Sequence, residues 1–495
     1  MSLTGPLAGV WMLLALGALI LATGLPVWAL LIGVSSLFAA MGLAAGAFDL
    51  QILQALPVRT LGLLENDLLQ AMPLYVFMGI LLQRLTVADA LFSSLLRLFR
   101  PLAGAHALSA LGVGALIAPM NGSVASSSAL LSRLVAPRMA HLNTARAISI
   151  ISVAATIGVV VPPSLVLLLL GDAMMLAHLE ASRLPGYLQA GQRIINTQDV
   201  MHAALLPALC VLALWALVAW RQARKLKETP PQVPPSRSQT AIALAAGGTI
   251  LVLLAGVFTG KLYAVEAAAT GAMLLVATAL LGRSLPASGW RLVLADTLKL
   301  SGALFALLVG ATTFSLVFRI FGTDRWLNGL LLGSTLPPGV TAALVLLLVA
   351  LCAWVLDAFE MIFVIVPIVA PALIARLGDA QQAAVLLLLV LQLSFLIPPM
   401  GYAVLMARSR SGLPAISSRR LLGALWPMLL VQVALTAAVF AFPATVHWLD
   451  APAPAASTQA PMADDEIARQ MREMSGAEPL EPGAGAGAAT APAAP

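Results

Sequence analysis

The sequence predicts an all-α polytopic membrane protein made of two inverted repeats, each carrying a re-entrant helical hairpin and a discontinuous helix. Three observations predict it: an apolar excess that no soluble fold could bury, an uneven distribution of Lys and Arg, and paired proline breaks in the two halves. Of 495 residues, 60% are apolar and 10% charged, and the mean hydropathy is +0.97. Soluble chains carry roughly 25% charged residues, so runs such as 7–21, 205–220 and 344–355 read as membrane helices or halves of them.

The basic residues assign the sides. Residues 84–100, 133–146, 221–237, 283–299 and 408–420 together hold eighteen of the twenty-seven Lys and Arg. The other gaps are poor in them, so the five rich gaps are cytoplasmic by the positive-inside rule. The first fifty residues contain no Lys or Arg, so 7–21 lacks the basic flank of a cleavable leader and reads as a retained span.

With the sides fixed, the elements follow in order. Residues 7–21 run inward and 27–45 outward, an amphipathic stretch over 51–70 lies outside, and 73–82 return to Arg84. Residues 105–132 are apolar with basic flanks at both ends, so they enter and leave on one side as a hairpin. Residues 147–171 run outward, interrupted by Gly158 and Pro162-Pro163, and 201–220 come back. A basic, Pro-rich linker spans 221–237. The second repeat, 238–443, inverts the first: 240–256 outward, 264–282 inward, an amphipathic stretch over 286–299 inside, and 300–320 outward. A second hairpin over 338–375 enters from outside, 382–407 return with a break at Pro398-Pro399 and Gly401, and 421–442 go out. The Ala-, Pro- and Gly-rich remainder, 444–495, buries too little apolar area to offset its ordering entropy and is expected to be disordered.

Irregular backbone survives in hydrocarbon only where it faces protein or a wet cavity, and a broken helix offers free carbonyls to cations and N-termini to anions. Inverted repeats with matching breaks therefore point to a transport pathway. The first hairpin tip, Asn121-Gly122-Ser123-Val124-Ala125-Ser126-Ser127-Ser128, presents neutral oxygens suited to Na⁺, although small residues also let membrane helices pack closely. Its companion break runs from Thr156 through Gly158 and Pro162 to Ser164. The second tip carries Asp357 and Glu360, three residues apart and on one face of a helix. Ionisable groups in a membrane segment are costly and usually functional. At least one of the two is expected to receive Na⁺ or exchange a proton, unless it merely caps the returning half-helix. Glu266 sits at a helix start, where its charge suits the dipole.

No phosphate loop, Ser/His/Asp elbow or His/Cys ligand spacing is present, so neither an enzyme nor an ATP-driven pump is indicated. No basic patch interleaves with aromatics, which leaves nucleic-acid binding without support. Cys210 and Cys352 lie apart in apolar runs and read as packing residues.

Six pieces in this order resemble the large membrane subunit (the M, or DctM-type, subunit) of tripartite ATP-independent periplasmic (TRAP) transporters. They are MPLYVFMGILLQR at 72–84, GSVASSS at 122–128, TIGVVVPPSLVLLLLGD at 156–172, VEAAATGA at 265–272, LDAFEMIFVIVPIVAP at 356–371 and LSFLIPPMGYAVL at 393–405. The stretch after Gly171 and the DAFEMIFVIVP hairpin resemble the branch often labelled mannitol/chloroaromatic.

The resemblance implies an inner-membrane permease that is not an enzyme and works by an elevator movement of hairpins and broken helices against a scaffold. It implies sodium-gradient-driven uptake of a small organic anion, a carboxylate or sugar acid. A periplasmic binding protein would deliver the anion, and a separate four-helix membrane subunit would brace the scaffold in the lipid bilayer. Sodium ions are the coupling ions and no other cofactor is implied. Carried over, the first sodium site would use Asn121, Gly122, Ser123, Gly158 and Pro162, with Ser126 as a further ligand, because Val124 stands where many members have a second Ser. The second would use Asp357, Pro398, Pro399 and Gly401, with Glu360 as an added carboxylate that keeps proton coupling open. Substrate contacts are expected from Ser127, Ser164 and Ser394. The competing expectation is a stand-alone ion- or proton-coupled anion transporter with no binding protein.

Overall fold

The computed structural model describes residues 5–65, 67–121, 123–139, 143–184, 194–225, 237–399 and 401–450. Among them every regular element is helical. The expectations for Gly122, for most of the linker and for nearly all of the tail lie outside the described residues.

The two halves repeat one order of elements. The first has Leu7–Thr23, Val27–Ala44, Asp67–Arg84, the short Val87–Leu98, a hairpin of Ala105–Asn121 and Val124–Met139, a broken helix of Thr144–Val160 and Leu165–Ala181, and Thr197–Lys225. The second has Arg237–Phe258, Ala264–Leu281, Ala287–Ile320, the short Thr323–Leu332, a hairpin of Pro338–Ala353 and Ala358 to Leu377, a broken helix of Ala380–Ser394 and Tyr402–Arg410, and Ser418–Ala441. From hairpin tip to proline break the halves keep one register, 236 residues apart: Asn121 matches Asp357, Asn143 matches Asp379, and Pro162-Pro163 matches Pro398-Pro399. Local chemistry follows the register. Asn143 Oδ1 accepts from Ala145 N at 2.9 Å and Asp379 Oδ1 from Gln382 N at 3.0 Å, so each broken helix opens on a side-chain cap.

The packing pairs across the repeats. Asp67–Arg84 lies against Ala264–Leu281, and its counterpart Ala287–Ile320 lies against Val27–Ala44. These helices, with Arg237–Phe258, form a frame with broad outward apolar faces, to which Arg237–Phe258 gives Leu244, Leu251 and Val252 and Ala264–Leu281 gives Met273, Leu280 and Leu281. The hairpins and broken helices pack against it, and of these Pro338–Ala353 keeps an exposed apolar face at Leu344, Leu347, Leu348 and Leu351. Every residue from Ala145 to Val160 is buried, as is nearly all of Ala380–Ser394, so neither helix has a lipid-facing side. The second half of each broken helix crosses to the other repeat: Leu165–Ala181 packs on Val366–Leu377, and Tyr402–Arg410 on Val124–Met139.

Four features differ from the sequence expectation. The amphipathic stretch at 286–299 and the span at 300–320 are one helix of 34 residues, Ala287–Ile320, because no proline interrupts it. At about 1.5 Å per residue it exceeds the hydrocarbon core and carries its polar first turns beyond it. The stretch expected over 51–70 divides into Leu50–Leu53, Ala55–Leu64 and the start of Asp67–Arg84. Two short amphipathic helices, Val87–Leu98 and Thr323–Leu332, follow the long frame helices, the first after a 66° bend. They are too short and too polar on one face to register as spans. Finally, packing continues past 444: Val446 is buried and His447 Nε2 lies 2.7 Å from Asp379 Oδ2, so the tail boundary set at 444 moves to about 450.

Candidate functional site

At the first tip, helix Ala105–Asn121 crosses Thr144–Val160 at very close range. A Cβ on Gly158 would lie 2.5 Å from the Ala118 backbone carbon, and one on Gly114 would lie 2.5 Å from the Ala154 carbonyl oxygen. Gly114 and Ala118 thus face Ala154 and Gly158, the small-xxx-small contact that brings membrane helices together. The requirement at Gly158 is close approach of two backbones. Gly114 and Ala118 were not singled out in the sequence, although their four-residue spacing is the signal.

Beside this crossing lies a cavity of about 10 Å³ lined by Ser123, Ser127, Gly158, Ser164 and apolar neighbours, roughly the room one water-sized particle needs. Ser127 and Ser164 are buried. Pro162 and Pro163 have no N–H to give the Gly158 and Val159 carbonyls, so the half-helix stops there. Ser164 restarts it, its Oγ accepting from Leu167 N at 3.1 Å. Neutral hydroxyl and carbonyl oxygens around so small a space suit a small hard cation. Ser127 and Ser164, expected on substrate, line this same small cavity. Ser126 is set apart. Three residues from Ser123, it faces the frame and accepts from Gln83 Nε2 at 2.5 Å, whereas Ser127, four residues on, returns to the cavity.

At the second tip Asp357 and Glu360 form a capping box. Asp357 Oδ1 accepts from Ala358 N at 2.7 Å and Glu360 Oε2 from Asp357 N at 3.0 Å. Both carboxylates therefore cap the returning half-helix, and each keeps further lone pairs. That helix widens to a π turn over Met361–Ile365, where Val366 N reaches the Met361 carbonyl just ahead of Pro367, which lacks an N–H. Trp354 Nε1 donates to the Ile397 carbonyl at 2.8 Å and ties the tip to its break. Within the break, Ala403 N donates to the Phe395 carbonyl at 3.1 Å and Gly401 N to the Ile397 carbonyl at 2.9 Å. Those two carbonyl oxygens lie 2.7 Å from where a Gly401 Cβ would stand, so only glycine fits. Pro398 is buried and Pro399 exposed. Ser394, expected on substrate, instead donates to the Val390 carbonyl at 2.9 Å.

The two breaks are joined through the centre. Gln392 Nε2 donates to the Thr156 carbonyl at 3.2 Å, and Gln432 Nε2 donates to Gln392 Oε1 at 2.8 Å and to the Leu389 carbonyl at 3.1 Å. All three side chains are fully buried. Polar residues in an apolar run were the available signal for both glutamines; the partner of Gln392, 236 residues away, was not readable.

Comparison with known proteins gives the family. Residues 14–445 match the model of the DctM component of the tripartite ATP-independent periplasmic transporter. The chain belongs to that family. It is 22% identical over 395 residues to the C4-dicarboxylate TRAP transporter large permease protein DctM of Rhodobacter capsulatus, covering 77% of this chain and 86% of that one. It is also 22% identical over 352 residues to the sialic acid TRAP transporter large permease protein SiaM of Vibrio cholerae, covering 70% and 78%. In fold it resembles the YdaH transporter of Alcanivorax borkumensis, with a TM-score of 0.57 at 15% identity over 89% of this chain and 98% of that one. Membership makes this DctM-family chain a multi-pass inner-membrane permease component and not an enzyme, in a family that implies a small membrane subunit and a periplasmic binding protein as partners.

Proposed function

We propose that this chain carries a small organic anion, a carboxylate or sugar acid, into the cell on a sodium gradient, receiving it from a periplasmic binding protein beside a small four-helix subunit. The hairpins and broken helices would move as one body against the frame. The observation that carries this reading is the placement of each hairpin tip against the proline break of its own repeat, with an ion-sized, hydroxyl-lined cavity at the first. Two relatives named for a C4-dicarboxylate and for sialic acid, both carboxylates, support the anion class. Burial of Ala145–Val160 and of nearly all of Ala380–Ser394 supports movement of the inner group as a unit, since neither of these half-helices has a lipid-facing side.

The test is uptake into proteoliposomes holding this chain, the small subunit and the binding protein, under a sodium gradient and under a proton gradient of equal size. Sodium-dependent uptake that needs the binding protein is the expected result. Proton-driven, sodium-independent uptake would overturn the sodium assignment and move coupling to Asp357 or Glu360. Uptake that persists without the binding protein would favour a stand-alone transporter.

A further inference from the structure

A second, larger cavity of about 520 Å³ opens between frame and inner group, on the side that the Lys/Arg distribution assigns to the outside. Its walls come from Ala55–Leu64, Ala287–Ile320, Leu165–Ala181 and the π turn at Ile362 and Phe363. Its size falls in the range of small-molecule pockets, and apart from its charged residues the lining is apolar except for Thr312 and Ser315. Three guanidinium groups, Arg59, Arg183 and Arg319, line it together with two carboxylates, Asp172 and Glu180. The balance is one excess positive charge in an otherwise apolar cleft.

Arg319 and Glu180 are in contact at 2.5 Å between Nη1 and Oε1, and they bridge the frame to the inner group. Arg319 sits in the last turn of its helix, where a cation is favoured. Glu180 also sits in a last turn, that of Leu165–Ala181, where a carboxylate is disfavoured by its own helix. About a third of each side chain is exposed (34% and 37%), and pairs so exposed gain little net stability. The guanidinium is well placed and its present partner is weakly held.

We propose that Arg319 is a carboxylate-receiving site at the outer mouth of this cleft, held by Glu180 until a small carboxylate ligand takes Glu180's place. The exchange substitutes one carboxylate for another on the same planar donor, so the charge count on Arg319 is unchanged. It also removes the bridge between frame and inner group, so ligand arrival and release of the inner group become one event. The inference rests on the reading of the chain as an anion carrier and adds the group that meets the anion.

The test is equilibrium binding of succinate, a plain dicarboxylate probe, to the purified full-length chain at constant ionic strength, followed by the shift in thermal unfolding. Wild type, Glu180→Gln, Arg319→Gln and Arg319→Lys are compared. The expected result is tighter binding in Glu180→Gln, because the competing carboxylate is gone. Binding should weaken on the order of tenfold in Arg319→Gln, with partial recovery in Arg319→Lys, which keeps the charge without the fork. Equal loss in Glu180→Gln and Arg319→Gln would make the pair a structural strut and overturn the proposal, as would the absence of any succinate shift in both wild type and Glu180→Gln. No gradient is involved, so the outcome is read whether or not uptake proves sodium-driven. Sodium-driven uptake with either negative result would sink this inference alone.

Discussion

Gln392 donates to the backbone carbonyl of Thr156, and the two residues hold the same place in their repeats, 236 apart and each six residues ahead of a Pro-Pro pair. The contact therefore lies where the repeats meet each other, and it joins the two breaks directly. Replacing Gln392 by Leu should remove the second bond to the Thr156 carbonyl and leave one donor of Gln432 without its acceptor, for a cost of about 1–3 kcal/mol. Thermal unfolding of the purified variant measures this, and an unchanged midpoint would show that the bond carries no stability.

Gly158→Ala should be poorly tolerated, because its Cβ would meet the Ala118 backbone, which has no rotamer to change. Overpacking of this kind costs typically about 1–3 kcal/mol. Gly17, with nothing within 4 Å of its would-be Cβ, is the control: Gly17→Ala should be neutral or slightly stabilising. Comparable yield and melting for the two variants would contradict the close crossing.

Ser123→Ala and Ser126→Ala should separate, since Ser123 lines the small cavity while Ser126 bonds Gln83. Loss of one oxygen ligand, about 1.4 kcal/mol, is a tenfold rise in the sodium concentration needed for half-maximal uptake. Ser123→Ala should show that rise and Ser126→Ala should not.

Asp357→Asn keeps a capping side chain while removing charge, whereas Asp357→Ala removes both. The Ala variant should lose about 0.5–2 kcal/mol of stability, and the Asn variant much less. If the charge ligates or balances the coupling ion, Asn should still lose uptake at normal melting temperature. Equal uptake in Asn and wild type would leave Asp357 with capping alone.

The matched caps offer a built-in comparison. Asn143→Ala and Asp379→Ala should each cost about 0.5–2 kcal/mol. Asp379→Ala should cost more, because its carboxylate also meets His447 at 2.7 Å. Equal melting shifts would show that the His447 contact contributes nothing.

The breaks were legible because proline lacks an N–H wherever it stands, and Pro162-Pro163 and Pro398-Pro399 announce themselves without tertiary information. The capping alternative for Asp357 and Glu360 was legible for the same local reason and is what the second tip displays. Ser126 and Ser127 could not be sorted without knowing which face of Val124–Met139 meets the break. Val87–Leu98 and Thr323–Leu332 were missed because they are amphipathic and short, and the first lies in a gap valued only for its basic residues. Gln392 with Thr156, and Arg319 with Glu180, depend on contacts across long sequence distances that no local pattern encodes.

The crossing of each broken helix onto the opposite repeat has a consequence for biogenesis. When the translocon has released the first 225 residues, Leu165–Ala181 has no Val366–Leu377 to rest on, and Val124–Met139 has no Tyr402–Arg410. The nascent first half therefore leaves these two helix faces without their partners until synthesis is nearly complete. Two fragments divided between Lys225 and Arg237 should therefore accumulate only when made in the same cell.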